Sequence, residues 1–295
     1  MGDQTLETAL FIGGGNMARA ILSGVRDRWP TLAVAVVEPD TTKHDGLPNP
    51  CTTIAEGMDR LRELEPEPGA GAIVLAVKPQ VFPDVARELA PILESEECER
   101  LAVSIMAGLT SEAIAGRLFG TSDDHERPAH EGGGGSGGRV VRTMPNTPAQ
   151  VGLGMSAVAP GLGATAQDVA FAVRLLGSCG EVIETSEDLI DAFTALAGSG
   201  PAYVFYLAEA MANAGVALGL TPEHADTAAR QTLLGAATLL SDSPDLSASE
   251  LRARVTSKKG TTQAATDVLD ERGLAEIMRA AMTAARDRGR ELAGG

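Results

Sequence analysis

The run Leu10-Phe11-Ile12-Gly13-Gly14-Gly15-Asn16-Met17-Ala18 fits G-x-G-x-x-A between an apolar segment and a helical one. Glycine at 13 permits a tight turn, and glycine at 15 lets the backbone approach a pyrophosphate. Alanine at 18 lets helix and strand pack closely. The free N–H groups that open such a helix attract anionic phosphate. Glu38 closes the next apolar run, twenty residues past Ala18. A carboxylate there accepts hydrogen bonds from an adenosine ribose and disfavours a 2′-phosphate, which leans the chain toward NADH over NADPH. A surface glutamate starting a loop is the plainer alternative.

Three further segments end apolar runs and so fall where an open α/β sheet lines its ligand crevice. They are Ala76-Val77-Lys78-Pro79, Met106-Ala107-Gly108 and Met144-Pro145-Asn146-Thr147-Pro148. In the last, two prolines fix an extended turn that points Asn146 and Thr147 into the crevice, although Pro-x-x-Pro turns are also common as plain structure. The only lysines are Lys43, Lys78, Lys258 and Lys259. Three of these four fall in segments expected to meet anionic ligands, where compact positive charge offsets repulsion.

The elements that must position these residues follow from periodicity. Strand-like runs at Ala9–Ile12, Ala33–Val37, Ile73–Val77, Leu101–Ile105 and Arg139–Thr143 alternate with helical patterns near 16–28, 80–94 and 110–118. Shorter strands are expected near 154–158 and 181–184. This rhythm predicts βαβ crossovers in an α/β Rossmann-like domain with a mostly parallel, doubly wound sheet, over residues 1–186. A stretch of about 120–138, containing His125, His130 and a Gly/Ser tract, reads as a mobile surface insertion. From Glu187 the pattern turns to helix only, near 201–218, 222–241, 247–254, 261–271 and 273–292. Pro201 suits a first helical position, Gly219 a stop, and Thr221-Pro222-Glu223 a restart. An all-α second domain over 187–295 is expected, with Ala/Gly-rich faces suited to pairing in a dimer.

Composition narrows the function. Asp and Glu total 40 against 24 Lys and Arg, a net charge of −16, which repels nucleic-acid backbones and anionic lipid. The apolar stretch Pro201–Leu218 contains Glu209 and Asn213, so it reads as a buried or interface helix rather than a membrane span. Cys51, Cys98 and Cys179 form no C-x-x-C, so no metal site is read and a reducing, cytoplasmic setting is expected. The first residues carry no secretory-leader pattern.

Five ordered segments give the chain a family resemblance. FIGGGNMA at 11–18, LAVKPQ at 75–80, RTMPNTPA at 142–149, ALAGSGPAYVF at 195–205 and RVTSKKGTT at 254–262 together resemble pyrroline-5-carboxylate reductase. The resemblance implies a Rossmann-like domain and an all-α dimerisation domain, in dimers and in larger assemblies up to decamers. It implies reduction of L-1-pyrroline-5-carboxylate to L-proline by NADH or NADPH, the last step of proline biosynthesis. Carried onto this sequence, Ile12, Gly13, Gly14, Gly15, Asn16 and Met17 hold the cofactor, to which the residue reading above adds Glu38 and Asn146. Ala76, Val77, Lys78, Pro79, Met106, Ala107 and Gly108 are its further contacts. Ser257, Gly260, Thr261 and Thr262 hold the substrate carboxylate, Thr262 donates to the ring nitrogen, and Glu187 lies close to substrate. Lys258-Lys259 departs from the family's usual Pro-Gly or Lys-Gly. If φ > 0 is needed at 259, a lysine there costs roughly 1 kcal/mol.

The implied chemistry needs no strong acid, because a cyclic imine can enter already protonated. None of the four histidines lies in these motifs. A hydroxyl donor and accurate stacking would suffice. Ser257, Thr261 and Thr262 also read as caps of the helix that follows. Two rivals stay open. One is a 3-hydroxyacid dehydrogenase-like enzyme, for which Lys258 or Lys259 would have to serve as acid and base. The other is a non-catalytic NAD(P)-binding scaffold.

Overall fold

The computed structural model describes residues 6–96, 99–120 and 138–293. The insertion expected over 120–138, with its two histidines, falls outside them apart from Gly120 and Gly138. Cys98 is outside them as well.

Short runs of apolar and β-branched residues form the sheet. They are β1 (Thr8–Ile12), β2 (Ala33–Val37), β3 (Pro50–Cys51), β4 (Gly71–Leu75), β5 (Leu101–Ser104), β6 (Arg139–Met144), β7 (Gly154–Pro160) and β8 (Gly180–Glu184). Spatial order is β3-β2-β1-β4-β5-β6-β7-β8. Pairing is parallel throughout except between β6 and β7. Every residue of β1, β4 and β5 is buried, as expected for parallel strands covered on both faces.

Alternate residues of one strand serve opposite cores. Ala9 and Phe11 pack with α1 (Asn16–Arg28) and α5 (Ala166–Gly177). Leu10 and Ile12 pack with α2 (Ile54–Leu64), α3 (Phe82–Glu94) and α4 (Ser111–Phe119). The sheet is therefore doubly wound. The sequential order reverses between β1 and β4, the switch point at which such sheets bind ligands.

Two strands are shorter than the sequence suggested. β4 stops at Leu75 rather than Val77, because Lys78-Pro79 begins a turn in which Val81 N–H donates to the Lys78 carbonyl at 2.9 Å. Proline also biases the residue before it toward extended geometry and offers no N–H of its own. β5 stops at Ser104 rather than Ile105. Helices α2 and α5 were not expected; each starts with a capping box, Thr53 with Glu56 and Thr165 with Asp168.

A buried ion cluster closes the edge of this unit opposite the strands' carboxyl ends. Arg100, 2% exposed, grips Glu65 with two bonds of 2.8 and 3.0 Å and also binds Glu96. Arg62 reaches Glu96 at 3.0 Å from outside. Burial pulls the Arg100 pKa down, but the bonds to Glu65 and Glu96 outweigh it and leave the pKa raised.

The chain divides into two compact units, one running to Gly198 and resuming at Ala285, the other Ser199–Ala284. Short helix α6 (Ile190–Phe193) and a π-turn at Thr194–Gly198 close the first. The rest is helical: α7 (Gly200–Ala217), α8 (Pro222–Ser241), α9 (Ala248–Arg254), α10 (Thr261–Glu271) and α11 (Leu274–Ala293). Gly215 lets α7 and α8 close up, since a Cβ there would meet the Ala225 Cβ at 3.1 Å. Helix α7 is strongly apolar yet buries no residue within the chain; Phe205 and Tyr206 stand 68% and 73% exposed. No helix among the described residues is long and apolar enough to cross a membrane.

Candidate functional site

The ends of β1 and β4 interlock at Gly13. Its φ is 108°, its N–H donates to the Val37 carbonyl at 2.8 Å, and a Cβ would lie 2.6 Å from the Ala76 oxygen. Only glycine fits there. Gly15 is the opposite case. It is the N-cap of α1 in extended geometry (φ −70°, ψ 179°), and a Cβ on it would meet nothing within 4 Å.

Helix α1 has no side-chain cap, so its first N–H groups have no side-chain partner. An uncapped helix start beneath a bare glycine fits a pyrophosphate. Asn16 is exposed, Met17 half-buried against the core, and Ala18 buried where helix meets strand. The two glycines should respond differently to alanine. Gly13→Ala should lower the thermal midpoint through strain and collision. Gly15→Ala should leave the midpoint unchanged and raise the cofactor Kd at least tenfold, as calorimetry would show.

Glu38 follows β2 and sits half-buried beside this turn. One carboxylate oxygen accepts from Gly14 N–H at 3.3 Å and the other from Asp40 N–H at 3.1 Å. The two backbone donors aim the carboxylate and leave lone pairs for ribose hydroxyls.

Ala76, Val77, Lys78 and Pro79 follow β4, and Met106, Ala107 and Gly108 follow β5, held level by a 3.2 Å bond from Ile105 N–H to the Leu75 carbonyl. Lys78 and Ala107 are exposed and Met106 is buried. These segments and residues 12–17 thus lie along one rim.

Asn146 was expected to present its amide to the crevice. The amide is instead engaged within the protein: it donates to the Ala197 carbonyl and accepts from Met155 N–H, both at 2.9 Å. Thr147 beside it is exposed.

Glu187 has two protein partners. It accepts from both the N–H (2.6 Å) and the hydroxyl of Ser111 at the start of α4. Arg142, only 3% exposed, approaches it at 3.5 Å and Asp191 at 3.3 Å. Arg142 sits inside the RTMPNTPA segment but escaped the sequence reading, because an arginine in a strand carries no periodic signal of burial.

In the helical unit, the loop from Ser257 turns directly into α10. Gly260 N–H donates to the Ser257 carbonyl at 3.0 Å, and a Cβ on Gly260 would collide with the Ser257 hydroxyl. Gly260 is the N-cap of α10, and no side chain caps that helix, so Ser257, Thr261 and Thr262 do not serve as the caps considered from sequence. Ser257 and Thr261 are exposed, and Thr262 is half-buried. This helix start too is uncapped and has hydroxyls around it, which suits a small carboxylate.

Lys259 has φ 62°, the left-handed geometry foreseen as the price of a lysine at this place. Lys259→Gly should therefore raise unfolding stability by roughly 0.5–1 kcal/mol, read in denaturant melts. A stability loss would show that the ammonium compensates. Among the described residues, no three His, Cys, Asp or Glu side chains gather as a metal site would require.

Known proteins resemble this chain over nearly its whole length. Residues 187–292 match a family described as pyrroline-5-carboxylate reductase dimerisation, and residues 8–108 one described as NADP oxidoreductase coenzyme F420-dependent. The chain is 34% identical to a pyrroline-5-carboxylate reductase of Vibrio alginolyticus over 96% of both chains. A solved pyrroline-5-carboxylate reductase of Coxiella burnetii is 32% identical and superposes with a TM-score of 0.79 over 99% of each chain. The Plasmodium falciparum pyrroline carboxylate reductase, solved with NADP bound, shares the fold at 24% identity and a TM-score of 0.76 over 99% of each chain.

Proposed function

The chain belongs to the pyrroline-5-carboxylate reductase family, and we propose that it reduces the C=N bond of L-1-pyrroline-5-carboxylate to give L-proline. The observation that carries this reading is the uncapped α1 start beneath Gly15, at the switch point of the sheet. A nicotinamide dinucleotide, when bound, supplies the hydride.

The protein's own residues then have three tasks. Backbone N–H groups of Gly15, Asn16 and Met17 hold the pyrophosphate, and the rims at Ala76–Pro79 and Met106–Gly108 line the nicotinamide end. The N–H groups of α10 at Thr261 and Thr262, with the Ser257 hydroxyl, hold the substrate carboxylate, and Lys258 and Lys259 add positive charge nearby. The Thr262 hydroxyl donates to the ring nitrogen as hydride arrives at the imine carbon. Asn146 holds the β6 turn in place, and Glu187 fixes the start of α4. Most of the rate comes from positioning.

The carboxylate of Glu38, aimed by two backbone donors, favours NADH by accepting from the ribose 2′-hydroxyl and repelling a 2′-phosphate. A second copy of the chain covers the exposed apolar face of α7, making the homodimer the working unit and a decamer its larger form. Residues 187–295 act as the dimerisation and substrate domain. Cys51 and Cys179 are free and buried, which suits a reducing cytoplasm.

The test is parallel oxidation of NADH and NADPH by the purified protein with pyrroline-5-carboxylate. Turnover with both cofactors and a higher kcat/KM for NADH is expected. Cofactor binding without turnover would leave only a scaffold.

A further inference from the structure

The geometry points to Arg19 as the positioning residue that joins the two walls of the adenosine-ribose subsite and so favours a free 2′-hydroxyl over a 2′-phosphate. This rests on the reading above that the first unit binds a nicotinamide dinucleotide, and concerns a residue outside the glycine motif.

Arg19 lies one turn into α1. Its Nε donates to the Gly14 carbonyl at 3.1 Å, its Nη1 to the Asp45 carbonyl at 3.0 Å, and its Nη2 to the Lys43 carbonyl. Gly14 belongs to the phosphate turn, whereas Lys43 and Asp45 belong to the loop that follows β2. One planar fork therefore clamps both segments, and Glu38 stands between them with its carboxylate on Gly14 N–H. A lysine could not do this, since a point charge on a flexible stem lacks three fixed donors spread over one plane.

The clamp also removes a candidate phosphate ligand. NADPH sites supply a cation near this position. Here the Arg19 guanidinium faces three carbonyls, and Lys43 is paired with Asp40 at 3.0 Å. The Thr42 hydroxyl and N–H hold the Asp40 carboxyl down at about 2 with help from Lys43, so this pair stays ionised at any physiological pH. His44 turns its ring back to the Glu38 carbonyl at 2.7 Å. The nearby basic groups thus brace the loop, and Glu38 presents its carboxylate at its centre.

The test uses the full-length enzyme and the variants Arg19→Gln and Arg19→Lys. NADH and NADPH binding is measured by calorimetry without imine, and amide hydrogen exchange is followed across residues 39–47. Both variants should bind NADH about tenfold more weakly, the loss expected from charge-assisted hydrogen bonds. NADPH binding should fall less, so the NADH preference narrows. Exchange at 43–47 should quicken, while kcat at saturating NADH and the KM for imine should stay within about twofold.

NADH Kd values within twofold of the parent in the folded variants would overturn the assignment. So would an unchanged NADH-to-NADPH ratio, or a fall in kcat at saturating cofactor. If Arg19→Gln fails to fold, the Arg19→Lys values decide. Failure of the parent enzyme to bind either dinucleotide would instead sink the functional reading itself.

Discussion

Thr262→Ala should lower kcat roughly a hundredfold while NADH binds as before, because removing one positioned hydrogen-bond donor costs about 10²–10³ in kcat. The expectation rests on place. Thr262 is the second residue of α10, half-buried, at a helix start that no side chain caps. There the hydroxyl can donate to a ring nitrogen while the neighbouring N–H groups hold the carboxylate of the same small molecule. Thr262→Ser keeps the donor and should retain most of the rate. Equal losses in both variants would mean that the methyl group, and hence packing, is what matters. A rise in the imine KM at constant kcat would make Thr262 a binding group only.

Arg100→Ala should cost about 3–5 kcal/mol of unfolding free energy, the penalty for removing the cation that the buried Glu65 carboxylate faces. Glu65 and Glu96 would then face each other beside the start of β5, and Arg62 can answer only Glu96. The cluster as a whole is not expected to be so valuable. Replacing Arg100, Glu65 and Glu96 together with apolar residues of similar size should recover much of the loss. Urea melts of the single and triple variants check this. Activity per folded molecule should be unchanged, because the cluster lies at the far edge of the sheet from the glycine turn.

What could be read in the sequence follows how local each signal is. The glycine turn is set by a few adjacent residues, so Gly13, Gly15 and Ala18 were readable with their separate reasons. The strained Lys259 was likewise foreseeable, because a lysine occupied a place that favours glycine. Helix α2 was missed although Thr53 and Glu56 form a capping box, because its charged residues masked the apolar stripe of Ile54, Met58 and Leu61. Helix α5 has the same spacing at Thr165 and Asp168, but with aspartate in place of the glutamate or glutamine that marks the usual capping box.

The partners of Asn146, Glu187 and Arg19 could not be read at all. Asn146 bonds to a carbonyl 51 residues away, Glu187 to Ser111 76 residues away, and Arg19 to a loop 24 to 26 residues on. Such contacts are made by the fold, and no short window contains both ends.

The account stands on the claim that hydride passes directly from the nicotinamide to the imine carbon. Turnover with NADH carrying deuterium at the transferable C4 position tests this. It should place the label on the δ-carbon of L-proline, the former imine carbon. Proline formed without label, or label lost to water, would contradict direct transfer and with it the proposed reaction.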